Sequence, residues 1–320
     1  MLIECSADRV NKKSTNNFVD FFYRKSCIYF ILVVTLSFQT VKSQNLEPRI
    51  ITYNVLVGGL TGGIGAMINK KKDQKWHKAF IKGFVIGVGG GAVSYTGKKL
   101  NNFISQKREL GYGWLSRAVF SAGNSIVENA ASNRPFWSRW HYDIGFMRLE
   151  LETNGPVSFT PRFMPSAFGG IVFMATNGTF DSHTSFKSGT LTFRADKVNY
   201  ASHLSASTAS NGFLFVNSLT QGHLFYDIYA HEMIHAFQFQ EFSGINYFFK
   251  PLTEKWKLKS PRFEKASRWI YGDVNFEAML FNYFIIQKGY MNNPATYCGN
   301  YLENEAEFLS VRRSACKIRN

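Results

Sequence analysis

Acidic residues are in short supply. The 320-residue chain carries 22 Asp+Glu against 37 Lys+Arg, a formal net charge of +15. An excess of this size favours anionic partners, either nucleic acid or an anionic membrane surface. The motifs that would direct it to nucleic acid are missing: there is no C2H2 spacing, no RNP-like aromatic strand and no long basic helix. The densest basic run, Lys70-Lys71-Lys72 with Lys75 and Lys78, sits between two apolar segments and reads as a solvated or headgroup-facing loop. Charge of either sign is sparse, at 18%, beside 45% hydrophobic residues and 16% aromatics. That balance excludes global disorder and provides for a packed core, in one large domain or two modest ones.

Residues 27–38, CIYFILVVTLSF, form an uncharged run too short to span a bilayer comfortably. Arg24 and Lys25 precede it and Val41-Lys42-Ser43 follows. A basic flank, a short apolar run and small residues at the −3 and −1 positions predict a secretory signal peptide over residues 1–43, cleaved after Ser43. The alternative is an uncleaved anchor. Cysteine is equally scarce: of Cys5, Cys27, Cys298 and Cys316, cleavage leaves the last two. In an oxidising compartment they can pair, or remain as buried thiols.

Within residues 44–105, the stretch 50–68 carries no charge and 79–96 carries one, Lys82, and both are rich in glycine. Small residues recur every fourth position, as Gly58, Gly62 and Ala66 in 50–68, and as Gly83, Gly87 and Gly91 in 79–96. On helices this spacing makes smooth faces that allow backbones to approach closely. So many glycines cost a helix about 1 kcal/mol each relative to Ala, so the pair needs close packing or a bilayer. The segment resembles the two-helix glycine-zipper segments of bacterial envelope proteins. The membrane reading makes NKKKDQKWHK an interfacial turn. The other reading is a soluble hairpin packed on the rest of the chain, favoured by Asn54, Thr61 and Lys82.

Residues 106–320 read as a second region. WLSRAVFSAGNSIVENAA predicts a helix ending at Asn133-Arg134-Pro135. Over 142–218 the pattern turns to period two: Met147, Leu149 and Leu151 alternate with Arg148, Glu150 and Glu152, and Leu191, Phe193 and Ala195 alternate likewise. Ile171–Met174 and Phe213–Val216 fit buried strands, so this stretch is expected to be mostly antiparallel sheet. No internal repeat is detectable. Three apolar helices are then expected: Asp227–Phe242 with Asp227 as N-cap, Phe276–Ile286, and Asn300–Ser310.

The first of these carries His231-Glu232-Met233-Ile234-His235, an HExxH motif. Residues four apart share a helix face, so both imidazoles can reach one ion while Glu232 reaches its open side. The bland alternative is two hydrogen-bonded structural histidines, but burying two His and a Glu with no ion strands costly polar groups. A catalytic zinc site needs a third protein ligand. Tyr301-Leu302-Glu303-Asn304-Glu305-Ala306-Glu307 offers Glu303 and Glu307 on one helical face, with Glu305 turned away. Glu277 is a rival because it enters an apolar helix. His77, His141, His183 and His203 lack ligand spacing and read as structural or surface residues.

At these residues the chain resembles the zincin metallopeptidases and, among them, the gluzincins, whose third ligand is Glu. The stretch E-N-E-A-E is similar to the E-x-x-A-D signature of HtpX-like and CAAX-protease-like peptidases, with Glu307 in place of Asp. The resemblance covers two short motifs. With the patterns above, the expected fold class is α+β: a glycine-zipper helical hairpin, an antiparallel strand-rich segment, then a helical segment that the resemblance makes a zincin-like metal site. The resemblance implies Zn²⁺ held by His231, His235 and Glu303, with Glu307 bonding a ligand imidazole, and Glu232 as general base on an activated water. Tyr271, His223 and Tyr301 are candidates to support an oxyanion. A strand upstream, Phe213–Val216, is expected to bind an extended peptide by edge pairing.

The expected function is therefore zinc-dependent hydrolysis of a protein or peptide substrate. The expected setting is exported, in the periplasm or envelope membrane of a bacterium, with membrane association and no nucleic acid. The alternative is a membrane-associated envelope structural or binding protein whose metal site is structural or degenerate. A basic, membrane-adhering module in which the motif is accidental is a third possibility.

Overall fold

The computed structural model describes residues 46–197, 206–218, 220–283 and 300–310. The signal-peptide segment, all four cysteines, His203 and the end of the Phe276–Ile286 helix lie outside the described residues. Residues 45–320 form one compact unit.

The unit begins with a helical hairpin, α1 (Leu46–Ile68) and α2 (Trp76–Leu100). Its small residues face each other. A Cβ added at Gly58 would lie 2.5 Å from the Gly87 carbonyl oxygen, and one at Gly62 would lie 2.5 Å from that of Gly83. Only glycine permits this approach, which is what the four-residue spacing predicted. α1 and the stretch Trp76–Lys107 are long and apolar enough to cross a membrane, which supports membrane association. Much of α1 is nevertheless buried within the protein, chiefly against α2. A short helix α3 (Asn102–Lys107) leads to α4 (Tyr112–Ala131), the helix expected before Asn133.

Two sheets follow. β1 (Arg139–Ile144), β2 (Met147–Glu152) and β3 (Ser158–Phe163) form an antiparallel meander. β2 alternates as expected, yet the face it buries is the charged one. Arg148 is 1% exposed and Glu150 3%, while Leu151 is 38% exposed. Arg148 donates to Glu128 of α4 at 2.6 Å, lies 3.4 Å from Glu150 and sits 3.9 Å over the Tyr271 ring. Charge pairing, rather than apolar burial, fastens this sheet to α4.

Two strand expectations are corrected. Ile171–Met174 lies in helix α5 (Pro165–Asn177), with Ala167, Gly170, Ile171 and Met174 on its buried side. A short apolar run is ambiguous by period. The missed signal is Pro165 at the first helical turn, where its fixed φ suits a helix start. The second sheet is mixed rather than antiparallel. β4 (Thr179–Phe180), then α6 (Ser182–Ser188), then β5 (Leu191–Ala195), β6 (Ala206–Ala209) and β7 (Gly212–Val216) give the order β4-β5-β7-β6. The tight β6–β7 turn places β7 inside, parallel to β5. Every residue of β7 is buried.

Helix α7 (Gly222–Glu241) carries the HExxH motif through the centre of the unit. It starts at Gly222, five residues before the expected cap. Asp227 lies within it and accepts a hydrogen bond from Ser105 Oγ instead. Phe225 and Tyr229 extend the apolar pattern upstream and pack on Phe215, which accounts for the earlier start. Tyr229, Met233, Ile234, Ala236 and Phe237 are fully buried, with Phe237 stacked on Phe120 of α4 at 4.4 Å. A 3-10 turn (Ser243–Phe249) and helices α8 (Lys250–Lys259), α9 (Pro261–Ser267) and α10 (Asn275–Phe281) follow. α11 (Tyr301–Ser310) packs against α7.

Candidate metal centre

One turn of α7 sets His231 and His235 on the same face, and α11 brings Glu303 to them. The two Nε2 atoms are 3.0 Å apart, and each lies 3.3 Å from Glu303 Oε2. A tetrahedral ion with ligands at about 2.0–2.1 Å has ligand atoms separated by about 3.3 Å, so the three atoms already form one face of such a site. Among the described residues one group of this kind is found. The His231-Glu232-x-x-His235…Glu303 arrangement matches an HExxH-type zinc-binding motif with a third Glu ligand.

The electrostatics agree. Burial pushes the Glu303 carboxyl up, but the two imidazoles outweigh it and hold it well below the usual carboxylate range. Burial pulls His235 down, yet Glu303, and after it Glu232 and Gln238, raise it to about 9. Two imidazole nitrogens converging on one carboxylate oxygen call for a cation among them. A proton serves in the metal-free chain, and a divalent ion has the geometry to replace it.

Neighbouring groups leave the facing atoms available. Tyr283 donates to Glu303 Oε1 at 2.7 Å, which keeps Oε2 toward the histidines. Gln238 Oε1 lies 2.8 Å from His235 Nδ1. Glu307 Oε1 is 3.9 Å from His231 Nδ1. Glu232 is buried at 7% exposure, and Thr208 of β6 donates its hydroxyl to the carboxylate.

Comparison with protein-family models, curated proteins and solved structures finds no significant match. The resemblance to the zincins therefore rests on the motifs and on this geometry.

The rivals for third ligand are placed elsewhere. Glu305, on the opposite side of α11, points into the hairpin and pairs with Lys98 at 3.0 Å. Glu277 accepts from Ser166 Oγ at 2.7 Å. Of the oxyanion candidates, Tyr271 bonds Asn246 and Glu128 within the charged cluster, Tyr301 is buried against Tyr53, and His223 is exposed in the first turn of α7. His141 is structural, bonded to Ser125 at 3.0 Å. Thr208, Gln238 and Tyr283 have no motif of their own. Of the three, only Gln238 had a usable signal, its position three residues beyond His235 on the same helix.

Proposed function

We propose that the chain is a zinc-dependent peptide hydrolase of the cell envelope. The observation that carries this reading is the converging triad of His231, His235 and Glu303 with the carboxylate of Glu232 beside it. The cluster is consistent with a metal-activated hydrolytic site, and two neutral nitrogens with one carboxylate suit Zn²⁺. Bound there, zinc would supply Lewis acidity, polarising a substrate carbonyl and bringing a water's pKa toward 7.

The chain's own groups then divide the work. Glu232 takes the proton of the attacking water and delivers it to the leaving amine. The Thr208 hydroxyl holds that carboxylate in place. Tyr283 and Glu307 orient Glu303 and His231 from behind. Substrate alignment falls to β6 rather than to Phe213–Val216. β7 is flanked by β5 and β6, whereas β6 is one of the two edge strands among the described residues and already touches Glu232, so an extended peptide pairing there would pass beside the general base. The signal-like run and the two apolar hairpin helices support an exported, membrane-associated setting.

A Glu232→Ala variant tests the assignment. It is expected to retain zinc at wild-type stoichiometry while peptide cleavage falls by roughly 10²–10⁴-fold or more. Unchanged cleavage would remove Glu232 from the mechanism. A wild-type chain that holds zinc but cleaves no member of a diverse peptide library would instead favour a structural metal site.

A further inference from the structure

On the far side of the metal triad a second constellation links it to the N-terminal hairpin. Gln238, Glu305 and Lys98 are each fully buried. Gln238 Nε2 lies 2.9 Å from Leu302 O and 2.9 Å from Glu305 Oε2. A peptide carbonyl and a carboxylate can only accept, so the amide NH₂ must point to them. Gln238 Oε1 is then the atom facing His235 Nδ1 at 2.8 Å, and an amide oxygen can only accept. Nδ1 therefore carries a proton, and Nε2 is the nitrogen with the lone pair for a metal.

The Leu302 carbonyl fixes that orientation by itself, and the hairpin holds Glu305 against the same nitrogen. Lys98 Nζ lies 3.0 and 3.1 Å from the two oxygens of Glu305 and also pairs with Glu241. Asn54 of α1 donates to Glu305 Oε1 at 2.7 Å and to Ile50 O at 2.9 Å. Three donor side chains from three elements thus make four contacts to one buried carboxyl group, which together with the Leu302 carbonyl faces the Gln238 amide nitrogen.

We propose that Lys98, Glu305 and Gln238 form a positioning relay that fixes His235 in its Nδ1–H tautomer and aims Nε2 at the metal, so that the hairpin sets metal affinity from behind. The proposal rests on the reading of His231, His235 and Glu303 as a metal centre. It gives the hairpin a role beyond anchoring, and it explains why Glu305 is present on α11 without facing the histidines.

Zinc affinity of the full chain, measured by chelator competition, tests it. Gln238→Leu is expected to weaken zinc binding by roughly 10–100-fold, the usual cost of removing an outer hydrogen-bond partner of a ligand histidine. Nitrogen-15 NMR of the zinc-loaded wild type should show His235 protonated at Nδ1, a result independent of any variant's folding. Folded Gln238→Leu protein with wild-type affinity, or His235 bound through Nδ1, overturns the relay and leaves the metal centre standing. A wild-type chain that takes up neither zinc nor cobalt overturns the centre and the relay together.

Discussion

Replacing Arg148 by Met should be among the most damaging changes available outside the candidate metal centre. The guanidinium is 1% exposed and faces Glu128 of α4, Glu150 of β2 and Asp143 of β1, stacked on Tyr271. Removing one partner of a buried ion pair costs about 3–5 kcal/mol because the remaining charge is stranded, and here three carboxylates share the loss. For a chain of this size each kcal/mol corresponds to about 1.5–2 °C, so the melting temperature should fall by roughly 5–10 °C. The pH dependence gives a second check. Burial pushes Glu128 up, but Arg148, followed by His141 and Ser243, holds it down at about 2. A carboxylate depressed in the folded state adds stability above its ordinary pKa and loses it as pH falls through the folded value. The gap between wild type and variant should thus be widest at neutral pH and narrow between about pH 4.5 and 2. Circular-dichroism melts across this range measure it. A variant within about 0.5 kcal/mol of wild type at pH 7 would refute the view that ion pairing fastens the first sheet to α4.

Other consequences are as direct. The same Gly→Ala change should have opposite signs at two positions of α2 and its partner. At Gly62 the new Cβ meets the Gly83 carbonyl and should cost about 1–3 kcal/mol, while at Gly89 it meets open space and should add up to about 1 kcal/mol. Burial, and after it Arg148, holds His141 at about 3. The unfolded chain therefore takes up its proton first as pH falls, and stability should drop between about pH 6.5 and 3 by up to about 1.4 kcal/mol per unit. A His141→Gln variant, compared with the wild type by urea titration at several pH values, should lack that slope.

The sequence was most legible where spacing maps directly onto a helix. His231 and His235, four apart, share a face as predicted, and the every-fourth glycines of the hairpin do meet across it. Glu303 was reached through resemblance, and the fold brings it to the histidines across more than sixty residues of chain. Legibility failed where tertiary partners decide. Nothing local shows that β2 buries Arg148 and Glu150, because their partners Glu128 and Asp143 come from other elements. Apolar Ile171–Met174 suits a strand or a helix equally until Pro165 is weighed. Phe213–Val216 is a strand, but its place inside the sheet follows from the β6–β7 turn, which moved the candidate substrate edge to β6. Tyr283 and Thr208 reach Glu303 and Glu232 across the fold, and no pattern in the chain marks them.

Metal content decides the central claim. Purified protein loaded with zinc, passed over a desalting column and analysed by atomic emission, should retain about one equivalent per chain. His231→Ala, His235→Ala and Glu303→Ala should each lose most of it. Wild-type protein that retains no stoichiometric divalent metal, or triad variants that retain as much as the wild type, would contradict the assignment of this site.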